Sequence, residues 1–552
     1  MLDRLLALVE KGLFFLCLFA LCGLPLRALA ARGGRGAAAP APTLFSSLPE
    51  EGDPVSAESA GETRVFYEIF TGSFSDSDGD GTGDLRGVLG RLDYLNDGDL
   101  HSETSLGVQG LWLTPIFASP SYHKYDITDY DSIDPAFGTL EDLQALIDAC
   151  HARDMLLILD LPLNHTSDQH PWFQQFLSAR REGRTEDPFY DFYACAGEER
   201  EANQTWYPLA GTEEYYEGNF SPNMPELNFD NPAVRQAALD IGKRYLSMGV
   251  DGFRFDAAKY IYYGENARSA DFWQWYADEL RAVKPDVWLV AEVWDADTIT
   301  DQYYPALNCF NFTLSGAGGF LADAAAGGNV NRYTAYVESY LNTIHFPRPD
   351  SMIIPFLSNH DTDRAAGFLP DSNGRARMAA NLYLLGPGAP FIYYGEEIGL
   401  KGSRGGASTD ANRRLAMRWG DGDPVSDPPE ANYSSQTSAT AADQLAQRDS
   451  LFHYYRQVIA LRRQHPEIAQ GSYQALVFED TPLGGFLSTL EGSTVAVLHN
   501  STTAPITLEL RSASVPVELL DFQTISGYIG QGVPKLENNA LTIPPQTSVI
   551  LR

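Results

Sequence analysis

Short apolar runs, each closed by a carboxylate, recur along the middle of this sequence. Gly252-Phe253-Arg254-Phe255-Asp256, Ala291-Glu292-Val293-Trp294 and Ser358-Asn359-His360-Asp361 end or follow the runs Val250 to Asp256, Val287 to Val293 and Met352 to Leu357. These runs are rich in Val, Ile, Phe and Leu and are separated by longer helix-compatible stretches, so they read as buried strands. An α/β chain in which strand ends carry the chemistry points to a (β/α)8 barrel, where catalytic groups sit at the C-terminal ends of several strands.

The residue types suit cleavage of a glycosidic bond. A retaining glycosidase needs one carboxylate as nucleophile and one carboxylic acid to protonate the leaving oxygen, about 5 Å apart. Asp256 and Glu292 are the candidates. Arg254 lies two residues before Asp256, so both side chains share one strand face, and a fixed guanidinium there favours the ionised carboxylate. Glu292 sits between Ala291 and Val293, where desolvation favours the protonated acid. Any one such segment alone reads equally well as a strand ending in a salt-bridged acid.

Asp160-Leu161-Pro162-Leu163-Asn164-His165 closes a fourth strand, Met155 to Leu161. The order of the four segments resembles the signature regions of the α-amylase superfamily, glycoside hydrolase family 13, and the resemblance runs from about Arg64 to Arg552. It implies that Asp256 is the nucleophile, Glu292 the general acid/base and Asp361 the carboxylate that grips sugar hydroxyls. It further implies that His165, Arg254 and His360 bind the sugar where cleavage occurs, and that Asn164 is structural, in many relatives a calcium ligand. Tyr122-His123-Lys124-Tyr125-Asp126 looks like the loop after the second conserved strand segment, Val108 to Leu113, with Tyr125 stacking on the sugar. Lys124 stands where a glycine is usual. Phe391 to Gly399 looks like the eighth strand and its exit loop, and Asp410-Ala411-Asn412-Arg413-Arg414 resembles a further familiar stretch.

Relatives that clip single glucose units usually carry an aspartate three residues before the stacking tyrosine. This chain has Tyr122 there, which looks more like an endo-acting α-amylase with an open cleft. Met224-Pro225-Glu226-Leu227-Asn228 resembles a fifth signature segment, in a form between those of oligo-1,6-glucosidases and neopullulanases. Lys259 is the expected leaving-group-side contact, followed by Tyr260 instead of the more frequent histidine. Retaining endo-hydrolysis of α-1,4 links in starch and maltooligosaccharides is the expectation. The alternatives are a 4-α-glucanotransferase, a neopullulanase or an α-glucosidase and, more distantly, a non-catalytic relative. All three carboxylates are kept, which argues against the last.

A metal site is also legible. Asp76, Asp78, Asp80, Thr82 through its carbonyl, and Asp84 alternate around glycines, an arrangement of oxygen ligands that suits Ca²⁺. Position twelve of this pattern is Gly87 and not a bidentate Glu, so this is no EF-hand. A structural Ca²⁺, remote from the chemistry, is expected because four aspartates in nine residues repel one another.

A formal charge of −34, with seven lysines against 73 acids, excludes nucleic acid and anionic membranes as natural partners and leaves a neutral glucan acceptable. Residues 1–30 have Arg4, Lys11 and an apolar stretch from Leu13 to Leu26, and read as a secretory signal cleaved near Ala30. Lipid anchoring at Cys22 is disfavoured because Leu21 precedes it, and the stretch is short for a stable membrane span. After cleavage only Cys150, Cys195 and Cys309 remain, so no disulfide framework holds the fold. Residues 31–62 read as a disordered linker, 63–164 and 227–465 as the barrel, 165–226 as a small domain inserted after strand 3, and 466–552 as a C-terminal antiparallel β-sandwich. A monomer is expected.

Overall fold

The computed structural model describes residues 64–404, 410–479 and 481–552. The leader and the linker expected over residues 1–62 lie outside them. Eight parallel strands form one sheet: β1 Phe66–Ile69, β2 Gly110–Leu113, β3 Leu156–Leu161, β4 Gly252–Phe255, β5 Trp288–Ala291, β6 Asn308–Phe310, β7 Ile353–Ile354 and β8 Phe391–Tyr393. They are paired in sequence order from β1 to β7, with β8 beside β1. A parallel bridge between Phe356 and Phe391 joins β7 to β8 and closes the (β/α)8 barrel.

Side-chain alternation fills this barrel and arms its rim. Phe66, Trp112, Ile158, Val290, Phe310, Ile354 and Phe391 form one buried cluster. Two residues further along the same faces stand Glu68, Asp160, Glu292 and Phe312, so the period of two that packs the interior also sets polar and aromatic groups at the C-terminal rim. Gly252 opens β4 because a Cβ there would overlap the Trp288 carbonyl of β5. That close approach puts Arg254 in register with Val290 on one side and Asp160 on the other.

The segment expected as the inserted domain holds a helix, Pro171–Glu182, and a small antiparallel sheet of Cys195–Ala196, Trp206–Pro208 and Tyr215–Glu217. Its ends are pinched together by antiparallel bridges, His165 with Glu226 and Tyr193 with Leu227. Beyond the helix Leu451–Gln464, antiparallel sheets of five and three strands form the C-terminal region around a core that includes Leu498, Leu541 and Val549. Residues Ala441–Ala446 form a helix, nucleated by a capping box of Thr440 with Asp443. Cys150, Cys195 and Cys309 are free thiols.

Candidate active site

One guanidinium organises the rim. Arg254, fully buried, donates from Nη1 to Asp160 Oδ1 at 2.9 Å and to Asp256 Oδ1 at 2.7 Å, and from Nη2 to Glu292 Oε2. Three carboxyls therefore share one positive charge in a site sealed from bulk water below, and all three cannot ionise cheaply. Burial pushes Asp256 up to about 6 despite Arg254, and Asp160 likewise to about 6. Glu292 is pushed highest, to about 7, again by burial, with the Asp256 charge adding to it. Arg254 alone was expected to keep Asp256 ionised. The finding is a shared arginine outweighed by desolvation, which leaves Glu292 the last of the three to lose its proton.

A second charge network holds Asp361. His360 donates from Nδ1 to Glu68 Oε1 at 2.6 Å and lies 2.9 Å from Asp361 Oδ2 through Nε2. Burial disfavours the imidazolium, but Asp361 and Glu68 overcome it and raise His360 to about 10. Although burial acts the other way, His360 and then Arg414 hold Asp361 below the usual carboxylate range. Arg414 Nη2 donates to Asp361 Oδ1 at 2.7 Å, and Nη1 to the Tyr122 hydroxyl at 3.3 Å.

Tyr125 ties the two networks together. Its hydroxyl donates to Asp160 Oδ2 at 2.9 Å and lies 2.7 Å from His360 Nε2, and its ring stacks on His360 at 5.5 Å. His165 faces the Tyr125 carbonyl through Nε2 at 3.2 Å, and burial drops its pKa to about 4, so it is a neutral donor. Lys124, where glycine was usual, has φ 66°, the left-handed conformation that glycine adopts freely. An ion pair from its Nζ to Asp134 at 2.7 Å holds it there.

Tyr122, Tyr125, His165, Asp256, Glu292, Asp361 and Arg414 line one cavity of about 600 Å³, which also takes in Phe220, Lys259, Tyr260, Trp294, Asp410 and Glu430, whereas Arg254 and His360 are fully buried and do not line it. Lys259 Nζ donates to Asp295 at 2.8 Å and to the Trp294 carbonyl at 2.9 Å, fixing the loop after β5. The structure thus brings together Asp256, Glu292, Asp361, Tyr125, His165, Arg254, His360, Lys259 and Tyr122. Sequence reasoning did not single out Glu68, Asp160 or Arg414, although Glu68 within β1 follows the apolar run Val65 to Tyr67, a similar carboxylate-after-apolar signal.

The metal ligands expected from sequence divide between two places. Asp76, Asp78 and Asp84 bring carboxylate oxygens within 4.8 Å of one another, a donor set that fits a hard cation. Asp80 lies outside that group and accepts instead from the Thr82 amide at 2.7 Å. The loop also answers part of its own charge: Asp76 accepts from the amides of Asp78, Gly79 and Gly81, and Asp84 from Ser77 and Gly87. Asn164 does not turn to this loop. Its Nδ2 donates to His165 Nδ1 at 2.8 Å and Glu226 Oε2 at 3.1 Å, and its Oδ1 is buried without a hydrogen-bond partner, an atom that fits a ligand role at a separate place.

A closed parallel barrel whose C-terminal rim sets two carboxyls on one buried arginine, in a cavity edged by aromatic rings, defines a glycoside hydrolase. The family model of the α-amylase catalytic domain matches residues 68–471. An enzyme named alpha-amylase 3 from Dictyoglomus thermophilum is 34% identical over 499 residues, 89% of this chain and 93% of that protein. A 4-alpha-glucanotransferase from Thermotoga neapolitana is 28% identical over 472 residues, 81% of this chain and 97% of that protein. The crystal structure of an alpha-amylase from H. orenii has TM-score 0.77 and 34% identity, covering 88% of this chain and 98% of that chain. The chain belongs to the α-amylase family, glycoside hydrolase family 13, and its chemistry is glycosyl hydrolysis or transfer on a carbohydrate.

Proposed function

We propose that the protein is a retaining, endo-acting α-amylase that hydrolyses α-1,4 links in starch and maltooligosaccharides. The observation that carries this reading is Arg254 bridging Asp256 and Glu292. One guanidinium holds both carboxyls by a hydrogen bond each, an arrangement compatible with the about 5–5.5 Å carboxyl spacing of retaining enzymes.

In the first step Asp256, ionised and steered by Arg254, attacks the anomeric carbon while Glu292 gives its proton to the departing glycosidic oxygen. Asp361, kept anionic by His360 and Arg414, grips sugar hydroxyls and stabilises the positive charge that develops on the ring. In the second step Glu292, now ionised, takes a proton from water as its oxygen attacks the anomeric carbon and the bond to Asp256 breaks, which frees the carboxylate and releases the sugar with its configuration retained. Tyr125 offers an aromatic face to the ring at the cleavage point, beside the neutral His165.

Endo action is supported by the cleft edges. Tyr122, not an aspartate, stands three residues before Tyr125, and Phe220 and Trp294 flank the cavity half exposed, at 46% and 48%. A time course on soluble starch and maltoheptaose tests it. Rapid loss of iodine colour with mixed short products is the expected result, and glucose alone overturns the reading. Transfer is the second reading. Tyr260 stacked on Tyr263 at 4.7 Å lies beside Phe220 on the leaving-group side, where aromatic faces favour a sugar acceptor over water. Products longer than the input would establish it.

Ca²⁺ at the Asp76–Asp84 loop, in a structural role, belongs to the same proposal, as do secretion through the leader and a monomeric state. Among the described residues no helix is long and apolar enough to cross a membrane.

A further inference from the structure

The aromatic ring beside the acid does not stand alone. Trp294, two residues after Glu292 and bonded through its carbonyl to Lys259, is stacked on Phe312 with ring centroids 4.7 Å apart and planes 9° from parallel. Trp294 lines the catalytic cavity, whereas Phe312 lines a second cavity of about 620 Å³ under the loop Thr313 to Phe320, bounded by Ser315, Ala317, Phe320, Arg332 and Phe368. The stacked pair is therefore the wall between the two cavities.

This wall is built to stay in place. Phe312 follows Phe310 of β6 by two residues, which carries it to the rim, and its ring packs edge-on against Phe356 at 5.2 Å. Asp297, three residues after Trp294, accepts from Thr313 Oγ1 at 2.7 Å and from the Tyr336 hydroxyl at 3.0 Å. Tyr336 is in turn bonded to Asn311 at 2.8 Å. The Trp294 loop and the Phe312 loop are stapled together by one carboxylate, a degree of order that lowers the entropy cost of binding at that face.

We infer that the second cavity is a remote glucan-binding subsite, taking the part of an α-glucan chain that leaves the catalytic cavity over the Trp294–Phe312 pair. The half-exposed Trp294 ring suits the apolar face of a sugar unit, and the exposed Asp323 and Arg332 supply an acceptor and donors for hydroxyls. The occupant follows from continuity, because a chain longer than the catalytic cavity meets this surface next. The inference rests on the endo-acting reading, since a chain-end enzyme that releases single units from its substrate has less use for it.

The test is calorimetric binding of maltoheptaose and of maltotriose in the Glu292→Gln background, with Phe368→Ala and, separately, Ala317→Trp. Ala317 is exposed, so tryptophan there fills the cavity without removing any packing. Maltoheptaose affinity is expected to fall about five- to tenfold in both variants, with maltotriose affinity changed less than about twofold. Unchanged maltoheptaose affinity overturns the inference, and so does equal weakening of both ligands. The products that the parent chain makes from starch report on the endo-acting reading independently of this binding ratio.

Discussion

At the scale of single residues, the site runs on an uneven division of protons among groups that share too few positive charges. Asp256 at about 6 and Glu292 at about 7 titrate as a pair, with His360 and Asp361 locked in their charged forms. Below the lower value the proposed nucleophile is protonated, and above the higher one the proposed acid has lost its proton. The pH profile of kcat/KM is therefore expected to be a narrow bell with limbs near about 6 and about 7. A plateau from about pH 4 to about pH 9 would contradict this assignment. Asp256→Asn and Glu292→Gln are each expected to lower kcat by at least about a thousandfold, because each removes a covalent or proton-transfer role. Steady-state kinetics on maltoheptaose with folded variants checks it.

At the scale of elements, the turn after β8 carries a burden that the chemistry does not explain. Glu396 accepts from the Tyr383 hydroxyl at 2.7 Å and the Tyr455 hydroxyl at 2.8 Å, tying the helices Arg375–Leu384 and Leu451–Gln464 to the turn. Burial raises Glu396 to about 8, so the folded state keeps a proton that the unfolded chain releases near about 4.3. Between those values the native state binds more protons than the unfolded one, and stability falls as pH rises. Glu396→Gln keeps the shape and removes the titration. Its melting temperature relative to the parent is expected to rise from about pH 5 to about pH 8, and a pH-independent difference would contradict this. The runs at β2, β3, β4, β5, β7 and β8 were legible because each is a compact block of apolar residues. β6 was not, since Asn308–Phe310 is three residues opening on a polar one. The pairing of Glu68 and Asp160 was illegible for another reason: their partners His360 and Arg254 lie 292 and 94 residues away, and nothing local marks such a pair. Arg414 sits in a familiar string, but its reach to Asp361 appears only once the loop after β8 folds over the rim.

At the scale of the whole molecule, the first and last barrel units are joined through the acidic loop. The Asp76 amide donates to Asp423 at 3.2 Å, the Ser426 amide to the Gly81 carbonyl at 2.9 Å, and Arg91 pairs with both Asp421 and Asp423. Loss of a cation from Asp76, Asp78 and Asp84 would loosen this seam. Chelation is therefore expected to lower the melting temperature, with calcium restoring it, while an unchanged curve after verified metal removal would discard the site. The proposal that most depends on the assembled barrel is that Asp256 and Glu292, from adjacent strands, act as nucleophile and acid/base on one bond. The direct measurement is mass spectrometry of Glu292→Gln after incubation with an α-maltosyl fluoride, whose leaving group needs no proton, so that a glycosyl-enzyme forms and cannot be hydrolysed quickly. A maltosyl adduct on the peptide containing Asp256 is the predicted result. An adduct on another carboxylate, or free maltose of the β anomer with no adduct at all, would contradict it.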